Sequence, residues 1–391
     1  MRTKTTDAVP ITKGPAYHWF GYYDKQQFDP GGRRVLGMAV GFEGRSPKPD
    51  DEITIGMVDL ADGNSWHELG TSRAWCWQQG CMLQWVPSTS DTIIWNDRDG
   101  DRFVSHVLDL STGRRRTIPS PIYTLAPDGT MALSTDFARI NHTRPGYGYT
   151  GVPDPNREVG APSGSGINRV DLESGAATPI VSLATLAALP HPDTDLSTAT
   201  HWCNHLLINP SGTRFVFLHR WRIPGDSFPF YTRMITANMD GTDMRIVDDS
   251  GHMSHFIWRD DTHILGYTQP RGSEVGFYLI DAHTGEARQA FEETRNGHCS
   301  YLPGGEWVLN DTYPQGAERM QELYLVQPAT GTRVGLGSYR SPAHYGGEWR
   351  CDLHPRFSPD GTRVVVDSVH GGNGRQMYMI DIGEVLESRR V

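Results

Sequence analysis

Three histidines are spaced so that one divalent cation could bind between them. His255, His298 and His354 each begin a β-rich segment, and these segments follow one another at similar intervals along the chain. Neutral imidazole binds divalent metals well, and a carboxylate or a further imidazole often completes such a site. The pattern therefore predicts a metal site with His252 or Asp352 as an additional ligand. A stack of neutral histidines bonded to the backbone is the alternative interpretation.

Arginines beside aromatic residues form a second group. The arginines are Arg98, Arg139, Arg144, Arg220 and Arg222, and the flanking aromatic residues are Trp95, Tyr147, Tyr149 and Trp221. A guanidinium binds a carboxylate through two parallel hydrogen bonds, and an aromatic ring offers a flat apolar surface to a sugar. The two residue types together predict a site for a carboxylated sugar. Pairing of the same arginines with nearby aspartates is the alternative.

Both groups need elements that bring remote residues together, and a repeated turn indicates what these elements are. Turns rich in Gly and Pro recur at 29–32, 126–129, 209–212, 302–305 and 358–361, with degenerate versions near 87 and 258. A second turn follows the first six about one hairpin later, and β-branched or aromatic runs flank both. Each unit is therefore predicted to form four antiparallel strands. Seven such units predict an all-β, seven-bladed β-propeller.

The ends of the chain and one insertion complete this prediction. The amino-terminal segment DAVPITK is expected to close the ring as the fourth strand of blade seven. We expect residues 1–391 to form one propeller domain. Blade three is enlarged by an insertion at 139–166, which is predicted to be a loop between its second and third strands. The segment VSLATLAALPHPDTDL is predicted to form a short helix before blade four.

Strand direction then indicates where the chemistry lies. In an antiparallel blade the start of strand one and the end of strand two lie at the same face. Most of the unusual polar residues fall at these positions, so we expect them around one mouth of the central channel. Besides the arginines, the predicted substrate-binding residues are His18, Gln79 and Asn96. Polar side chains that bond only to one another and to water are the alternative.

The carboxy-terminal segments carry a resemblance. DLHPRFSPDGTRVVVDSVHGGNGRQMYMIDI and GHCSYLPGGEWVLNDTYP resemble the oligogalacturonate lyase family and related propeller polysaccharide lyases, mainly across blades six and seven. In that family, histidines and a nearby Gln hold a manganese-like cation beside the uronate carboxylate, and the resemblance assigns that role to His298 and His354. The chain departs from the pattern at Arg356, where the family tends to carry another histidine, and at Cys351, near the place of the Gln. Mn, Ca or Zn are the candidate metals.

The chemistry that this resemblance implies is β-elimination. A carboxylate neutralised by Arg or metal makes the adjacent C5 proton more acidic, because the enediolate that forms is stabilised. A base must then take that proton. His219 is the leading candidate, with Arg220 behind it, and His201 is hard to separate from His219 on sequence.

Two further roles complete the predicted reaction. Tyr147 or Tyr149 is predicted to protonate the leaving oxygen. Arg98 and Arg222 are predicted to clamp the carboxylate. The expected partner is therefore an acidic oligosaccharide.

Composition limits the other partners. The formal net charge of −10 is spread along the chain, without the basic field that binding to a phosphate backbone needs. The amino terminus lacks the apolar core of a secretory signal, no apolar run is long enough to span a bilayer, and the five cysteines are scattered without CxxC spacing. We expect a cytoplasmic protein with reduced thiols, no nucleic acid partner, no membrane association and no organic cofactor.

Two other functions fit the same fold. A glycoside hydrolase on this scaffold would use acidic groups, and Asp97, Asp311 and Asp367 would then carry the reaction. A non-catalytic propeller would present its faces to a protein partner, although few exposed apolar runs offer an interface. The sequence leaves the oligomeric state open.

Overall fold

Antiparallel sheets of four strands make up almost all of the regular structure. A computed structural model describes residues 7–192 and 195–388. Within them, 28 strands form seven four-stranded sheets, and neighbouring strands in each sheet are consecutive in sequence except at the seam of the ring. The predicted seven-bladed β-propeller is thereby confirmed.

The first four blades follow one another from Tyr17 onward. Blade one comprises β2 (Tyr17–Trp19), β3 (Arg34–Val40), β4 (Ile53–Asp59) and β5 (Ser65–Ser72). Blade two comprises β6 (Gln84–Trp85), β7 (Thr92–Asp99), β8 (Arg102–Asp109) and β9 (Arg115–Ile118). Blade three comprises β10 (Thr124–Leu125), β11 (Met131–Thr135), β12 (Gly166–Asp171) and β13 (Ala177–Ser182). Blade four comprises β14 (Thr200–Ile208), β15 (Arg214–Arg222), β16 (Tyr231–Asn238) and β17 (Arg245–Gly251).

The last three blades complete the ring. Blade five comprises β18 (Phe256–Trp258), β19 (His263–Thr268), β20 (Gly276–Asp281) and β21 (Ala287–Phe291). Blade six comprises β22 (Ser300–Tyr301), β23 (Val308–Asp311), β24 (Met320–Gln327) and β25 (Thr332–Arg340). Blade seven comprises β26 (Arg356–Phe357), β27 (Arg363–Ser368), β28 (Gln376–Asp381) and β1 (Val9–Pro10).

Strand β1 closes the ring as predicted. Val9 pairs with Met379 and Pro10 with Tyr378, in antiparallel register with β28. The outer edge of blade seven is thus covered by the amino-terminal segment. Chain closure joins the amino-terminal strand and the carboxy-terminal strands in one sheet.

Alternation of side chains along each strand fills the space between blades. In β15, Phe215 and Phe217 pack in a core shared with blade three, whereas Val216 and Leu218 pack in a core shared with blade five. Because successive side chains of a strand point to opposite faces, a fully apolar run serves two interfaces at once. Neighbouring positions in one strand therefore face different blades.

Helical segments are short and lie between strands. Helix α1 (Phe137–Thr143) is capped by Asp136, whose carboxylate accepts the backbone N–H of Arg139 at 2.9 Å. Helix α2 (Leu183–Ala187), a 3-10 turn (Gly347–Trp349) and helix α3 (Gly383–Glu387) are the others. Across the described residues, none of these helices has the length and apolar character needed to cross a bilayer.

The insertion in blade three differs in one respect from the prediction. It lies between β11 and β12, as expected, but it begins with α1 rather than with a loop. Arg139 is therefore a residue of α1 and does not stand at the end of strand two. The predicted helix before blade four is confirmed as α2.

Candidate functional site

Histidines from four consecutive blades meet at the central channel. His205 lies in β14, and His255, His298 and His354 stand one or two residues before β18, β22 and β26. The ring centroids of His255 and His298 lie 4.2 Å apart, and those of His298 and His354 lie 4.3 Å apart. All four are buried. We call these four residues the histidine cluster.

A tyrosine of blade one completes this arrangement. The ring centroid of Tyr22 lies 5.0 Å from that of His205 and 5.3 Å from that of His354. Tyr22 is also 6.2 Å from His298 and 6.4 Å from His255. Its ring therefore contacts every member of the histidine cluster, across the seam between the first and last blades.

Three residues in and beside the cluster could hold a metal. One ligand atom each from His298, Asp352 and His354 lies within 4.8 Å of the others. His298 Nε2, His354 Nε2 and Asp352 Oδ1 are all buried and have no hydrogen-bond partner among the described residues. Two imidazole nitrogens and one carboxylate oxygen are ligands that Mn²⁺, Zn²⁺ and related cations accept. The donor set fits a divalent cation, and we call these three residues the cation group.

Hydrogen bonding and burial favour this role for the two imidazoles. Nδ1 of His298 lies 2.9 and 3.0 Å from the two oxygens of Asp311, so its N–H donates to the carboxylate and Nε2 carries the lone pair. Burial lowers the pKa of His354 well below its usual value, and the neighbouring His298 adds to the effect. Hydrogen bonding thus orients His298, and burial disfavours the charged form of His354, as metal binding requires.

His255 lies beside the cation group but outside it. Its Nδ1 bonds to Asn296 Oδ1 at 2.9 Å, which leaves Nε2 as an acceptor 3.5 Å from the hydroxyl of Tyr313. Burial lowers the pKa of His255 well below its usual value. A neutral imidazole whose Nε2 has only this long contact therefore lies next to His298.

Arg350 connects the cation group with a phenol. Its Nε donates to Asp352 Oδ2 at 2.7 Å, and its Nη2 donates to the Tyr147 hydroxyl at 2.6 Å. The first bond occupies Oδ2 of Asp352, which lies 3.9 Å from His354 Nε2, and Oδ1 has no hydrogen-bond partner among the described residues. The second bond leaves the Tyr147 hydroxyl free to donate its own proton.

Two further arginines lie on an aromatic wall. Tyr22, Tyr23, Ile140, Tyr147 and Trp202 form one buried cluster against which Phe230 packs. The guanidinium carbons of Arg144 and Arg220 lie 4.7 and 5.0 Å from the centroid of Phe230. Positive charge and flat rings therefore adjoin the histidine cluster, as a site for an acidic sugar requires.

The predicted bases His219 and His201 lie together in blade four. His219 Nε2 is 2.9 Å from His201 Nδ1, Arg233 Nε donates to His219 Nδ1 at 3.0 Å, and His201 Nε2 bonds to the Leu196 carbonyl at 3.2 Å. Because a guanidinium only donates, each proton in this chain has a fixed place. Every ring nitrogen of the two histidines is engaged in this network.

Two of the other predicted arginines are tied to the backbone of their surroundings. Arg139 is fully buried, pairs with Asp154 at 3.1 Å and donates to four carbonyls, so it organises the insertion of blade three. Arg222 donates to the carbonyls of Pro229 and Thr143. Arg98 lies 3.5 Å from Asp50, which is an exposed partner.

The remaining predicted residues bond inside the blades. The Tyr149 hydroxyl accepts from Asn96 at 3.0 Å, and its ring stacks on Phe137 at 4.2 Å. Gln79 donates to the Tyr123 hydroxyl at 2.8 Å. His18 bonds through Nδ1 to Gln376 at 3.0 Å. The structure thus gathers the predicted metal residues, Tyr147, Arg144 and Arg220, and places these others apart.

Arg356, the residue that departs from the family pattern, is held in a buried ion pair and is not part of the cation group. Its guanidinium pairs with the buried Asp367 at 2.8 Å and donates to Gln27 at 2.9 Å. Asp352, two residues before His354, supplies the third donor instead.

Sequence reasoning missed Tyr22, Trp202 and Arg350. Arg350 lies outside strand one and strand two, directly after the 3-10 turn, and Tyr22 follows the end of β2. The pair of adjacent tyrosines after a strand-one segment was the available signal for Tyr22.

Comparison with known proteins supports the fold. Neither a protein-family model nor the sequence of a characterised protein matches the chain. An oligogalacturonate lyase in complex with manganese has a TM-score of 0.70 and 20% identity, covering 99% of this chain and 96% of that one. An oligogalacturonate lyase from Vibrio parahaemolyticus has a TM-score of 0.69 and 14% identity, covering 98% and 97%.

A third structure shares only the architecture. The tricorn protease has a TM-score of 0.56 and 10% identity, and it covers 98% of this chain but 34% of its own. At such identities the likeness shows the fold. The resemblance to oligogalacturonate lyases that the carboxy-terminal segments carry is confirmed at that level, over nearly the whole chain.

Proposed function

We propose that this protein cleaves a uronate-containing oligosaccharide by β-elimination. The observation that carries the proposal is the cation group, because three of its buried polar atoms have no hydrogen-bond partner among the described residues and lie beside arginines and phenols. Such atoms cost stability unless a partner satisfies them. A cation and an acidic sugar together supply those partners.

His298, Asp352 and His354 would hold the cation. Bound there, a divalent metal would neutralise the uronate carboxylate and so make the C5 proton more acidic. The mixed nitrogen and oxygen donors suit Mn, Zn or Ca. Arg144 and Arg220 would add positive charge at the aromatic wall.

His255 is the residue we propose as the base. Asn296 fixes its tautomer, so that Nε2 is the acceptor and has only a long contact, 3.5 Å, with the Tyr313 hydroxyl, and burial keeps the ring neutral. His219, the leading candidate on sequence, has both ring nitrogens engaged by His201 and Arg233. The proton at C5 would therefore pass to His255 Nε2.

Tyr147 is the residue we propose as the acid. Arg350 donates to its hydroxyl oxygen at 2.6 Å, which orients the phenol and leaves its O–H for the leaving oxygen. Tyr149 is stacked on Phe137 inside the blades and lacks such a position. The known lyases of this fold support the reaction type by analogy.

Hydrolysis has less support from the geometry. Asp311 is engaged by His298, Asp367 by Arg356, and Asp97 by His106 at 3.1 Å. None of these three carboxylates keeps the free proton position that an acid in glycoside hydrolysis needs.

The test is a panel of uronate oligosaccharides monitored for a new carbon–carbon double bond by ultraviolet absorbance. We expect absorbance to rise with wild type plus Mn²⁺, and to stay flat after chelation or with His255→Ala. His106→Ala is the matched control, because it removes another histidine bonded to a carboxylate but outside the cluster. Release of reducing ends without a double bond would replace elimination by hydrolysis.

A further inference from the structure

We propose that Arg220 and Trp202 form a pocket that binds a sugar carboxylate. The pocket lies on blade four, outside the cation group. It would bind a negatively charged ligand in preference to an uncharged one. The inference rests on the proposed function only for the class of ligand, an acidic sugar.

The two residues are direct neighbours across a pair of strands. Trp202 of β14 and Arg220 of β15 are paired in register, so their side chains lie on the same face of the sheet. Trp202 is completely buried and Arg220 is 5% exposed. Both contact Phe230, with ring centroids 5.8 Å apart for Trp202 and a guanidinium 5.0 Å from the ring for Arg220.

Three of their nitrogen donors have no acceptor among the described residues. Arg220 Nε, Arg220 Nη1 and Trp202 Nε1 are buried without a hydrogen-bond partner, and no acidic residue of the described chain lies within ion-pair distance of Arg220. The other two arginines of β15, Arg214 and Arg222, both find acceptors. A buried donor without an acceptor costs about 1–3 kcal/mol. Three unsatisfied donors therefore lie together on two neighbouring residues.

Donor chemistry decides what can bind. A guanidinium and an indole N–H donate and never accept, and the guanidinium carries a positive charge. A carboxylate accepts up to about four hydrogen bonds and carries the opposite charge. An ammonium group would be repelled, and a hydroxyl would leave the charge of Arg220 unpaired. The pocket therefore fits a carboxylate.

The pocket is continuous with the candidate active site. Trp202 belongs to the same aromatic cluster as Tyr22 and Tyr147. Tyr22 contacts His354, and Tyr147 bonds to Arg350. A sugar whose carboxylate binds Arg220 would thus lie against the wall that leads to the cation group.

The experiment measures binding, separately from turnover. Galacturonate and glucuronate are titrated into wild type by calorimetry, with galactose, glucose and the uronate methyl esters as uncharged probes. We expect uronates to bind and the uncharged probes to bind at least about tenfold more weakly, since a hydrogen bond to a charged group corresponds to roughly a factor of ten or more in affinity.

Two variants and one matched control localise the effect. Trp202→Phe keeps an aromatic ring and removes the indole N–H, so uronate affinity should fall about tenfold, and Arg220→Gln should lower it about a hundredfold. Trp221→Phe is the control. Trp221 also has a buried indole N–H without a partner, but it lies on the opposite face of β15, against Tyr231 and His219. Its substitution should leave uronate affinity unchanged.

The outcomes separate this pocket from the proposed reaction. Uronate binding that depends on Arg220 and Trp202, without any double-bond formation by wild type, supports the pocket and overturns the lyase. Double-bond formation with uronate affinity unaltered in both variants overturns the pocket and keeps the lyase. Wild type that fails to prefer uronates over their uncharged forms also overturns the pocket. If Trp202→Phe does not fold, Arg220→Gln alone decides.

Discussion

His298 and Asp311 are joined twice across the first two strands of blade six. Oδ1 of Asp311 accepts the backbone N–H of His298 at 2.7 Å and its ring Nδ1–H at 2.9 Å. The carboxylate therefore fixes both the position and the tautomer of the imidazole, and Nε2 faces Asp352 and His354. The two hydrogen bonds therefore hold His298 in one position and one tautomer within the cation group.

Asp311→Asn tests that relationship. The amide can donate where the carboxylate only accepts, so the tautomer of His298 is no longer enforced and the ring becomes a poorer ligand. We expect Mn²⁺ affinity to fall by about 10–100-fold, the usual effect of losing such a support. The measurement is a calorimetric titration of metal-free protein. Unchanged affinity would mean that Asp311 has no part in cation binding.

Removal of a ligand should have a larger effect. His298→Ala or Asp352→Ala is expected to abolish stoichiometric binding of a divalent cation, because each leaves two of the three donors. Metal content after dialysis, measured by elemental analysis, checks this expectation. His106→Ala should retain the wild-type content, since His106 pairs with Asp97 away from the group. Equal content in all variants would place the cation elsewhere.

The sequence predicted the convergence of His255, His298 and His354 for a simple reason. Each precedes strand one of its blade, and the start of that strand lies at the channel whatever the details of packing. The fold could be predicted from repeated turns because they fix strand length and direction. The convergence of these three histidines, which are distant in sequence, could thus be predicted from local patterns.

The same reasoning could not determine whether His219 or Arg220 faces the site. They are adjacent in β15, so their side chains point to opposite faces, and only the packing of neighbouring blades determines which face adjoins the site. Arg139 was misplaced because Asp136 caps a helix at the end of β11, and the strand stops there. Neither outcome follows from the spacing of turns.

Buried histidines should make stability depend on pH. Burial lowers the pKa of His201 from 6.5 to about 4. The unfolded chain therefore binds a proton that the folded chain excludes, so the free energy of unfolding falls as pH drops from about 6.5 towards 4. This single group contributes about 3 kcal/mol over that range, at 1.36 kcal/mol per pKa unit.

Urea denaturation at several pH values tests whether the free energy of unfolding falls at low pH and whether His201 causes the fall. His201→Gln should lower stability at neutral pH, because it breaks the bond to His219, and should flatten the pH dependence. A pH dependence as steep in His201→Gln as in wild type would assign the effect to other groups.

The ion pair of Arg356 and Asp367 should be important for stability. Both side chains are 2% exposed, and Asp367 also accepts the backbone N–H groups of Phe20 and Gly21. Arg356→Met leaves a buried carboxylate without its cation, which should lower the free energy of unfolding by about 3–5 kcal/mol.

An exposed pair provides the comparison. Arg33 is paired with Asp59 at 2.6 Å but is 59% exposed, so Arg33→Met should leave the denaturation midpoint nearly unchanged. Thermal or urea unfolding of both variants measures the difference. Equal, small shifts would show that the buried pair adds little to stability.

Pairing of β1 with β28 has a consequence for the order of assembly. Tyr22 is translated early and His354 late, yet their rings lie 5.3 Å apart across the seam. While the chain is still emerging from the ribosome, early blades can form their own sheets, but this contact must wait for blade seven. The centre that we assign to catalysis is therefore among the last parts of the protein to take shape during synthesis.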